Sequence, residues 1–396
     1  MVDKAVVAFS GGLDTTVVVK YLQEEYNLDV VTVTVDVGQN EDYEDIEYKA
    51  KNLNVKNHYN LDCKMEFVHN YIFPSIKANS LYQKKYCLAT ALARPLIAKK
   101  LVHIAKKENA DVIAHGCSGK GNDQIRFDIT LQSESNLPII APIRDLNLNR
   151  EQELRFAKKH GIKIEKLAKR FSIDQNLWGR SIEGGVLEDP YNEPEEDLFL
   201  WTSTKHFPEE PTYLEIEFEE GIPISVNNEF REEPVQLIKY INDKAGRHGI
   251  GIVDHIEDRI IGMKSREIYE TPAAMCLIDA HLDIEKMAQT NHEIRFKTMV
   301  DDEWARLIYS GLWDEPLKKN LDIFINSTQR NVTGSVKIKM YKGNSRIVGR
   351  ECKKSLYNKN MITYGSDSDF DQRLSSGFIK LWGMQSTEAN KLQKNV

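Results

Sequence analysis

The chain has 396 residues, 41% of them hydrophobic and 29% charged, with a formal net charge of -7 at pH 7. That length exceeds one ordinary domain and predicts two or three with real cores, while the acidic balance argues against bulk nucleic-acid binding. No run of roughly 18 apolar residues marks a membrane span, and the five cysteines are odd in number and never form Cys-x-x-Cys, which argues against structural disulfides and a zinc site in a chain expected in the cytoplasm.

Lys4 to Ala8 is short, β-branched and bounded, as a buried parallel strand is. Phe9-Ser10-Gly11-Gly12-Leu13-Asp14-Thr15-Thr16 follows, and from Val17 to Tyr26 apolar residues recur at helical spacing. The stretch is therefore a strand-to-helix turn early in a sheet. Adjacent glycines let the backbone turn sharply and approach a ligand, and the unpaired N–H groups of the first helical turn, with three hydroxyls beside them, favour an anion. A plain turn capped by Asp14 is the simpler alternative, and the placement favours phosphate. No Gly-Lys-Ser/Thr follows the glycines and no Gly-x-Gly-x-x-Gly is present, so neither a Walker loop nor a dinucleotide fingerprint applies. The stretch instead resembles the pyrophosphate-loop (PP-loop) signature of the ATP pyrophosphatases, which split ATP between its α and β phosphates. That resemblance implies a cradle for the leaving pyrophosphate, with Asp14 helping to hold magnesium against the phosphates.

Asp29 to Val35 predicts a second strand ending in Asp36-Val37-Gly38-Gln39, which should touch the nucleotide because ligands bind at strand carboxyl ends. Helix, strand and helix follow at Tyr43–Leu53, Val55–Asn60 and Lys64–Ala78, an alternation that means βαβ units. A long helix is predicted from Tyr82 to about Glu108, its polar entry at Tyr86 and Thr90 being either solvated or in contact with substrate. Ala110 to His115 is a strand, and Gly116 to Asp123 is a glycine-rich loop suited to phosphate or ribose, with Asn122, Asp123 and Arg126 adding donors and acceptors. His115 is expected to be a packed strand-end histidine. Leu137 to Ile143, flanked by prolines, suits an edge strand, and a helix starts at Asn149-Arg150-Glu151.

The nucleotide-binding region is expected to close near Lys166. Phe171 to Ser181 is polar and aperiodic, and the acidic, proline-bearing segment 188–212 predicts a surface loop. Tyr213–Phe218 and Ile222–Val226 form a hairpin, followed by a helix (Pro234–Lys244), a close backbone approach at Gly249-Ile250-Gly251, and a strand (Ile252–Ile261) carrying Glu257. The charged run from Gly262 to Pro272 predicts a solvated loop. Three helices (Ala273–Met287, Asp301–Leu312, Pro316–Asn326), a hairpin (Val332–Tyr341, Arg346–Cys352) and a last amphipathic helix (Phe378–Asn395) complete the chain.

Together Ser10-Gly11-Gly12-Leu13-Asp14-Thr15, Asp36-Val37-Gly38-Gln39, Ala93-Arg94-Pro95, His115-Gly116, Gly119-Lys120-Gly121-Asn122-Asp123-Gln124, Gly262-Met263-Lys264-Ser265-Arg266 and Tyr269-Glu270-Thr271-Pro272 resemble the argininosuccinate synthases from end to end. The resemblance implies an α/β fold: a parallel-sheet nucleotide-binding domain of the PP-loop ATP pyrophosphatase type (1–166), an α+β synthetase domain (167–370) and a C-terminal helical arm for oligomerisation (371–396). It implies a homotetramer in the cytoplasm, with no nucleic-acid or membrane partner, that uses ATP with magnesium to join citrulline to aspartate through citrullyl-AMP. ATP would contact Ala8, Phe9, Ser10, Gly11, Gly12, Leu13, Asp14, Thr15, Thr16, Val35 and Gly116. Citrulline would meet Tyr86, Thr90, Ala91, Asn122, Arg126, Ser172, Ser181, Glu257 and Tyr269, and aspartate Ser118, Asn122 and Asp123. Asp14, Asp123 and Arg126 would carry the chemistry, with no metal site fixed by the protein alone. Thr16, Val35, Cys117-Ser118 and Glu267 stand where serine, alanine, Ala-Thr and glycine are commoner, and Ala91 stands where many members have serine.

Two other readings are open at this point. A tRNA-modifying adenylating enzyme would need a basic appended domain or a reactive Cys-x-x-Cys. A nucleotide sensor without turnover would have no use for Ser172, Ser181, Glu257 and Tyr269.

Overall fold

The computed structural model describes residues 3–162 and 171–394, so the expected domain boundary at Lys166 lies outside the described residues. Parallel pairing builds the first part. β1 (Lys4–Ala8), β2 (Asp29–Asp36), β3 (Asn57–Asp62), β4 (Val112–Ala114) and β5 (Ile139–Ile140) form a sheet in the order β3-β2-β1-β4-β5. Its connections are α1 (Leu13–Glu24), α2 (Tyr43–Asn52), α3 (Lys64–Phe67) and α4 (Phe73–Lys77) with a π turn between them, α5 (Ala89–Glu108), α6 (Asp123–Glu134) and α7 (Pro142–Asp145) before α8 (Arg150–Lys159). Val6, Val7, Val30, Val31 and Val33 are buried because helices cover both faces, leaving the strands no solvent side toward which to alternate. β5 holds the edge that its flanking prolines predict.

The helix expected from Tyr82 starts only at Ala89. Tyr82 and Tyr86 pair in an isolated bridge, and Gln83, Lys84 and Leu88 adopt φ of 50°, 62° and 66°, which a right-handed helix cannot contain. α1 begins earlier than expected, at Leu13, because Gly12 in extended backbone opens its first turn.

The second part is antiparallel: β6 (Ser172–Asn176), β7 (Gly179–Glu183), β8 (Thr212–Glu219), β9 (Ile222–Val226), α9 (Pro234–Arg247), β10 (Ile252–Asp258), β11 (Lys264–Glu270), α10 (Pro272–Ala288), α11 (Asn291–Tyr309), α12 (Pro316–Thr328), β12 (Gly334–Tyr341) and β13 (Asn344–Cys352). Two sheets result, β10-β11-β7-β6 and β13-β12-β8-β9. The aperiodic 171–181 stretch is thus a hairpin, and the supposed solvated loop at 262–272 contains β11. Their alternation explains the misreading. Ile173, Ile182 and Ile268 stand in register and enter an apolar cluster with Phe171, Leu187 and Leu198, whereas Asp174, Ser181 and Tyr269, also in register, form the opposite, polar face.

Segment 188–212 forms no strand before Thr212, yet part of it is interior. Backbone N–H groups of Leu200, Trp201 and Thr202 donate to the Glu270 carboxylate, which is fully buried and paired with Arg180. At Gly251 (φ +110°) a Cβ would stand 2.5 Å from the Pro272 nitrogen, the close approach expected there. One hydrophobic core runs through both parts, joining Val37, Leu92, Trp178, Tyr269 and Trp304.

The chain divides into a compact unit ending at Lys354 and a second from Ser355 onward. The second holds α13 (Lys359–Ile362) and α14 (Leu374–Lys394), where Phe378, Leu381, Trp382 and Leu392 are all more than half exposed; Asn395 lies outside the described residues. Among the described residues no helix is long and apolar enough to cross a membrane.

Candidate active site

The turn between β1 and α1 has the geometry its glycines predict. Gly11 takes φ +70°, Gly12 is the cap of α1, and the Ser10 hydroxyl accepts from the Gly12 N–H at 3.4 Å while lying 3.3 Å from the Thr15 hydroxyl. Gly116 closes onto this turn from the end of β4: a Cβ there would stand 3.3 Å from the Asp14 carbonyl carbon and from the Thr15 nitrogen. The structure therefore brings Ser10–Thr16 and Gly116 together. Phe9, Leu13, Thr16 and Val35 are buried beneath them, Ala8 ends β1, and the Val35 carbonyl accepts from the Gln39 amide at 2.8 Å. Asp14, half exposed, accepts from Arg150 at 3.0 Å.

Gly38 does not face open space. A Cβ on it would lie 2.8 Å from the Leu177 Cβ, and the Leu177 N–H donates to the Val37 carbonyl, so the end of β2 is docked on the β6–β7 turn. The strand end expected to touch the nucleotide is thus held on one side by Leu177.

His115 is packed as expected. Its Nδ1 accepts from the Cys117 N–H, which leaves the proton on Nε2 to meet Asp128 at 2.7 Å. The loop it begins leads to Asp123, whose carboxylate accepts from Arg94 at 2.9 Å and from Arg126 at 3.0 Å. Burial works to raise the Asp123 carboxyl, but the two guanidiniums outweigh it and hold the group below the ordinary carboxylate range. Arg94 also binds Asp174, tying α5 to β6. The rest of the Arg126 fork goes to the backbone: Nε and Nη2 both donate to the Tyr309 carbonyl at 3.1 Å, and its guanidinium lies over the Tyr309 ring.

Around these residues stands a box of tyrosines. The Tyr86 hydroxyl oxygen accepts from the Thr90 N–H at 2.9 Å and the Ala91 N–H at 3.4 Å, satisfying the first turn of α5, and its ring stacks on Tyr269 at 4.3 Å. Tyr82 stacks on Tyr309 at 3.5 Å. Tyr269 donates to one Glu257 oxygen at 2.6 Å and Tyr309 to the other, while Asn122 donates to the Tyr309 oxygen at 2.8 Å. Burial would raise the Glu257 carboxyl; His255, the two hydroxyls and Arg126 overcome that and hold it lowered, hence ionised at neutral pH. Ser181, partly exposed, donates to the Asp174 carbonyl at 3.3 Å on the same face. Ser172 and Ser118 are exposed, Ser172 opposite Glu183 at the start of β6.

Arg259 straps this face to the loop: it donates to Glu183, to Glu267 at 2.8 Å and to the Lys120 carbonyl at 3.0 Å. Burial first, and Glu183 second, push the Glu267 carboxyl up to about 7.

Tyr82, Tyr309, Asp174 and Arg259 were missed as site residues, and Arg94 was quoted without a role. Arg94 had a signal in its Ala-Arg-Pro setting. Tyr309 had none, since an aromatic at the end of an amphipathic helix reads as core.

With that geometry in view, comparison with known proteins is direct. The model of the arginosuccinate synthase N-terminal HUP domain matches residues 4–163, and that of the C-terminal domain matches residues 171–389. The argininosuccinate synthase of Pyrococcus furiosus is 50% identical over 395 residues, covering 99% of this chain and 96% of the relative. That of Methanothermobacter thermautotrophicus is 51% identical over 387 residues, covering 97% and 96%. Two family models that tile nearly the whole sequence, and relatives at half identity along its length, agree with the parallel nucleotide sheet and the polar antiparallel face: the chain belongs to the argininosuccinate synthase family.

Proposed function

We propose that this chain joins citrulline to aspartate at the expense of ATP, as an AMP-forming carbon–nitrogen ligase of arginine biosynthesis. The citrulline ureido oxygen attacks the α-phosphorus of ATP and the bond to the β-phosphate oxygen breaks, giving citrullyl-AMP and pyrophosphate. The aspartate amine, having lost a proton, then attacks the ureido carbon; the bond to the AMP oxygen breaks and argininosuccinate forms. The observation that carries this reading is one loop, 116–123, which touches the Ser10–Thr16 turn at Gly116 and the tyrosine box at Asn122.

In this reading Ser10 to Thr16 with Gly116 receive the triphosphate, and Ala8, Phe9 and Val35 shape the nucleotide's floor. Asp14 offers a half-exposed carboxylate, a hard oxygen donor that suits magnesium. Among the described residues no cluster of three or more His, Cys, Asp or Glu side chains could hold a metal alone, so phosphate oxygens and water would complete its shell. Magnesium would neutralise phosphate charge. Glu257 receives the citrulline ammonium with Ser172, Ser181 and Tyr269 beside it, and Tyr86, Thr90 and Ala91 line the pocket wall. Ser118, Asn122 and Asp123 receive aspartate. Arg126, held on Tyr309, fixes Asp123 and adds positive charge toward substrate carboxylate. The residues beyond 371 form an oligomerisation arm, consistent with the exposed apolar side chains of α14, in a cytoplasmic homotetramer without nucleic-acid or membrane partners.

Incubation with ATP, citrulline and aspartate should yield AMP and pyrophosphate in equal amounts, dependent on both amino acids. ADP and phosphate, or no turnover, would overturn the reading.

A further inference from the structure

We propose that Lys49 of α2 and Arg150 of α8 are the cations of the phosphate loop, each parked on a carboxylate until a pyrophosphate group draws it across. The inference rests on the reading of Ser10–Thr16 as the ATP site. Phe9 to Thr16 contains no lysine or arginine, so the loop itself offers an arriving phosphate only N–H groups and hydroxyls. A pyrophosphate bearing several negative charges calls for charged partners, and charge-assisted bonds are the strong ones. Two side chains are placed to supply them. A Cβ on Gly11 would stand 3.3 Å from Lys49 Cδ and 3.4 Å from an Ile46 carbon, so the Lys49 stem runs directly along the loop at the position that must stay glycine for its φ of +70°. From the other side, Arg150 reaches Asp14 in the first turn of α1.

Each cation pairs with an exposed carboxylate. Lys49 sits 2.7 Å from Asp45, one helical turn back on α2, with side chains 37% and 47% exposed. The Arg150–Asp14 pair is 46% and 50% exposed. Exposed pairs of this kind contribute little to stability, so their partners can be exchanged for phosphate oxygens at small cost.

The probe is inorganic pyrophosphate with magnesium, titrated calorimetrically into the full chain. Lys49→Gln and Arg150→Gln should each weaken pyrophosphate binding about tenfold or more and flatten its salt dependence. The KM for ATP should rise while those for citrulline and aspartate stay put. Lys49→Arg and Arg150→Lys should recover much of the binding, and Arg155→Gln, an exposed cation on the same helix, should match the unaltered chain. Folded glutamine variants that bind pyrophosphate like the unaltered chain would overturn the inference while leaving the site reading intact. Failure of the unaltered chain to bind pyrophosphate would overturn both.

Discussion

The five-stranded parallel sheet and the β10-β11-β7-β6 sheet deliver side chains to the same site in opposite ways. Helices seal both faces of the first, so it can present chemistry only where its strands end: in the turn after β1 and the loop after β4. The second is antiparallel, buries Ile173, Ile182 and Ile268 on one side, and offers the other as a surface bearing Asp174, Ser181, Glu257 and Tyr269. Strand ends suit a ligand gripped by backbone N–H groups, such as a phosphate. A face suits a ligand recognised by several separate side chains, such as an amino acid.

The largest effect should come from the face. Glu257→Gln leaves Tyr269 and Tyr309 without their charged acceptor and should lower kcat/KM for citrulline by roughly a hundredfold or more while leaving the KM for ATP nearly unchanged; equal losses for both substrates would erase the division of labour. The junction comes next. Gly38→Ala forces a side chain to φ +91° and to within 3.0 Å of the Leu177 nitrogen, which should cost about 2–4 kcal/mol in urea unfolding. Asp123→Asn probes the loop that serves both sheets. It should preserve citrulline-dependent exchange of labelled pyrophosphate into ATP but slow argininosuccinate formation about ten- to a hundredfold, since a charge-assisted contact is worth roughly 1.5–3 kcal/mol. Loss of the exchange as well, in a folded variant, would place Asp123 with the nucleotide.

The smallest effect concerns Glu267. Its carboxyl ionises near 7 in the fold against 4.5 ordinarily, so between those values the folded chain keeps a proton that the unfolded chain has released. Stability therefore falls as pH rises through that window. Glu267→Gln should abolish the slope, matching the unaltered chain at pH 4 and exceeding it at pH 8 by on the order of 1–3 kcal/mol. Urea midpoints at the two pH values decide it.

The same contrast explains what could be read from the sequence. The β1–α1 turn was legible because its glycines and hydroxyls are contiguous, and a continuous valine run gives away a strand sealed on both sides. β6, β7 and β11 were hidden because most of their residues are polar, on both faces, so Ser172 to Asn176 and Lys264 to Glu270 look solvated. Glu257 was legible as a site residue only through family resemblance, and the role of Arg94 was invisible because its partners, Asp123 and Asp174, lie 29 and 80 positions away. The unwound entry to α5 went unread because nothing in Gln83-Lys84 requires left-handed backbone; the packing of Tyr82 and Tyr86 imposes it.

The turn between β6 and β7 has a consequence for recombining this enzyme with its relatives. Leu177 N–H caps the Val37 carbonyl, the Gln175 amide the Gln39 carbonyl, the Trp178 indole the Cys87 carbonyl, and the Asn176 amide the Ala89 carbonyl. A chimera spliced between residues 163 and 171, where the two family models part, leaves every described strand whole, yet separates four acceptors from their donors. The donated Gln175–Trp178 turn must fit a host backbone it has never met, so crossovers that look neutral on an alignment should fail unless the segments around Val37 and Cys87 travel with it.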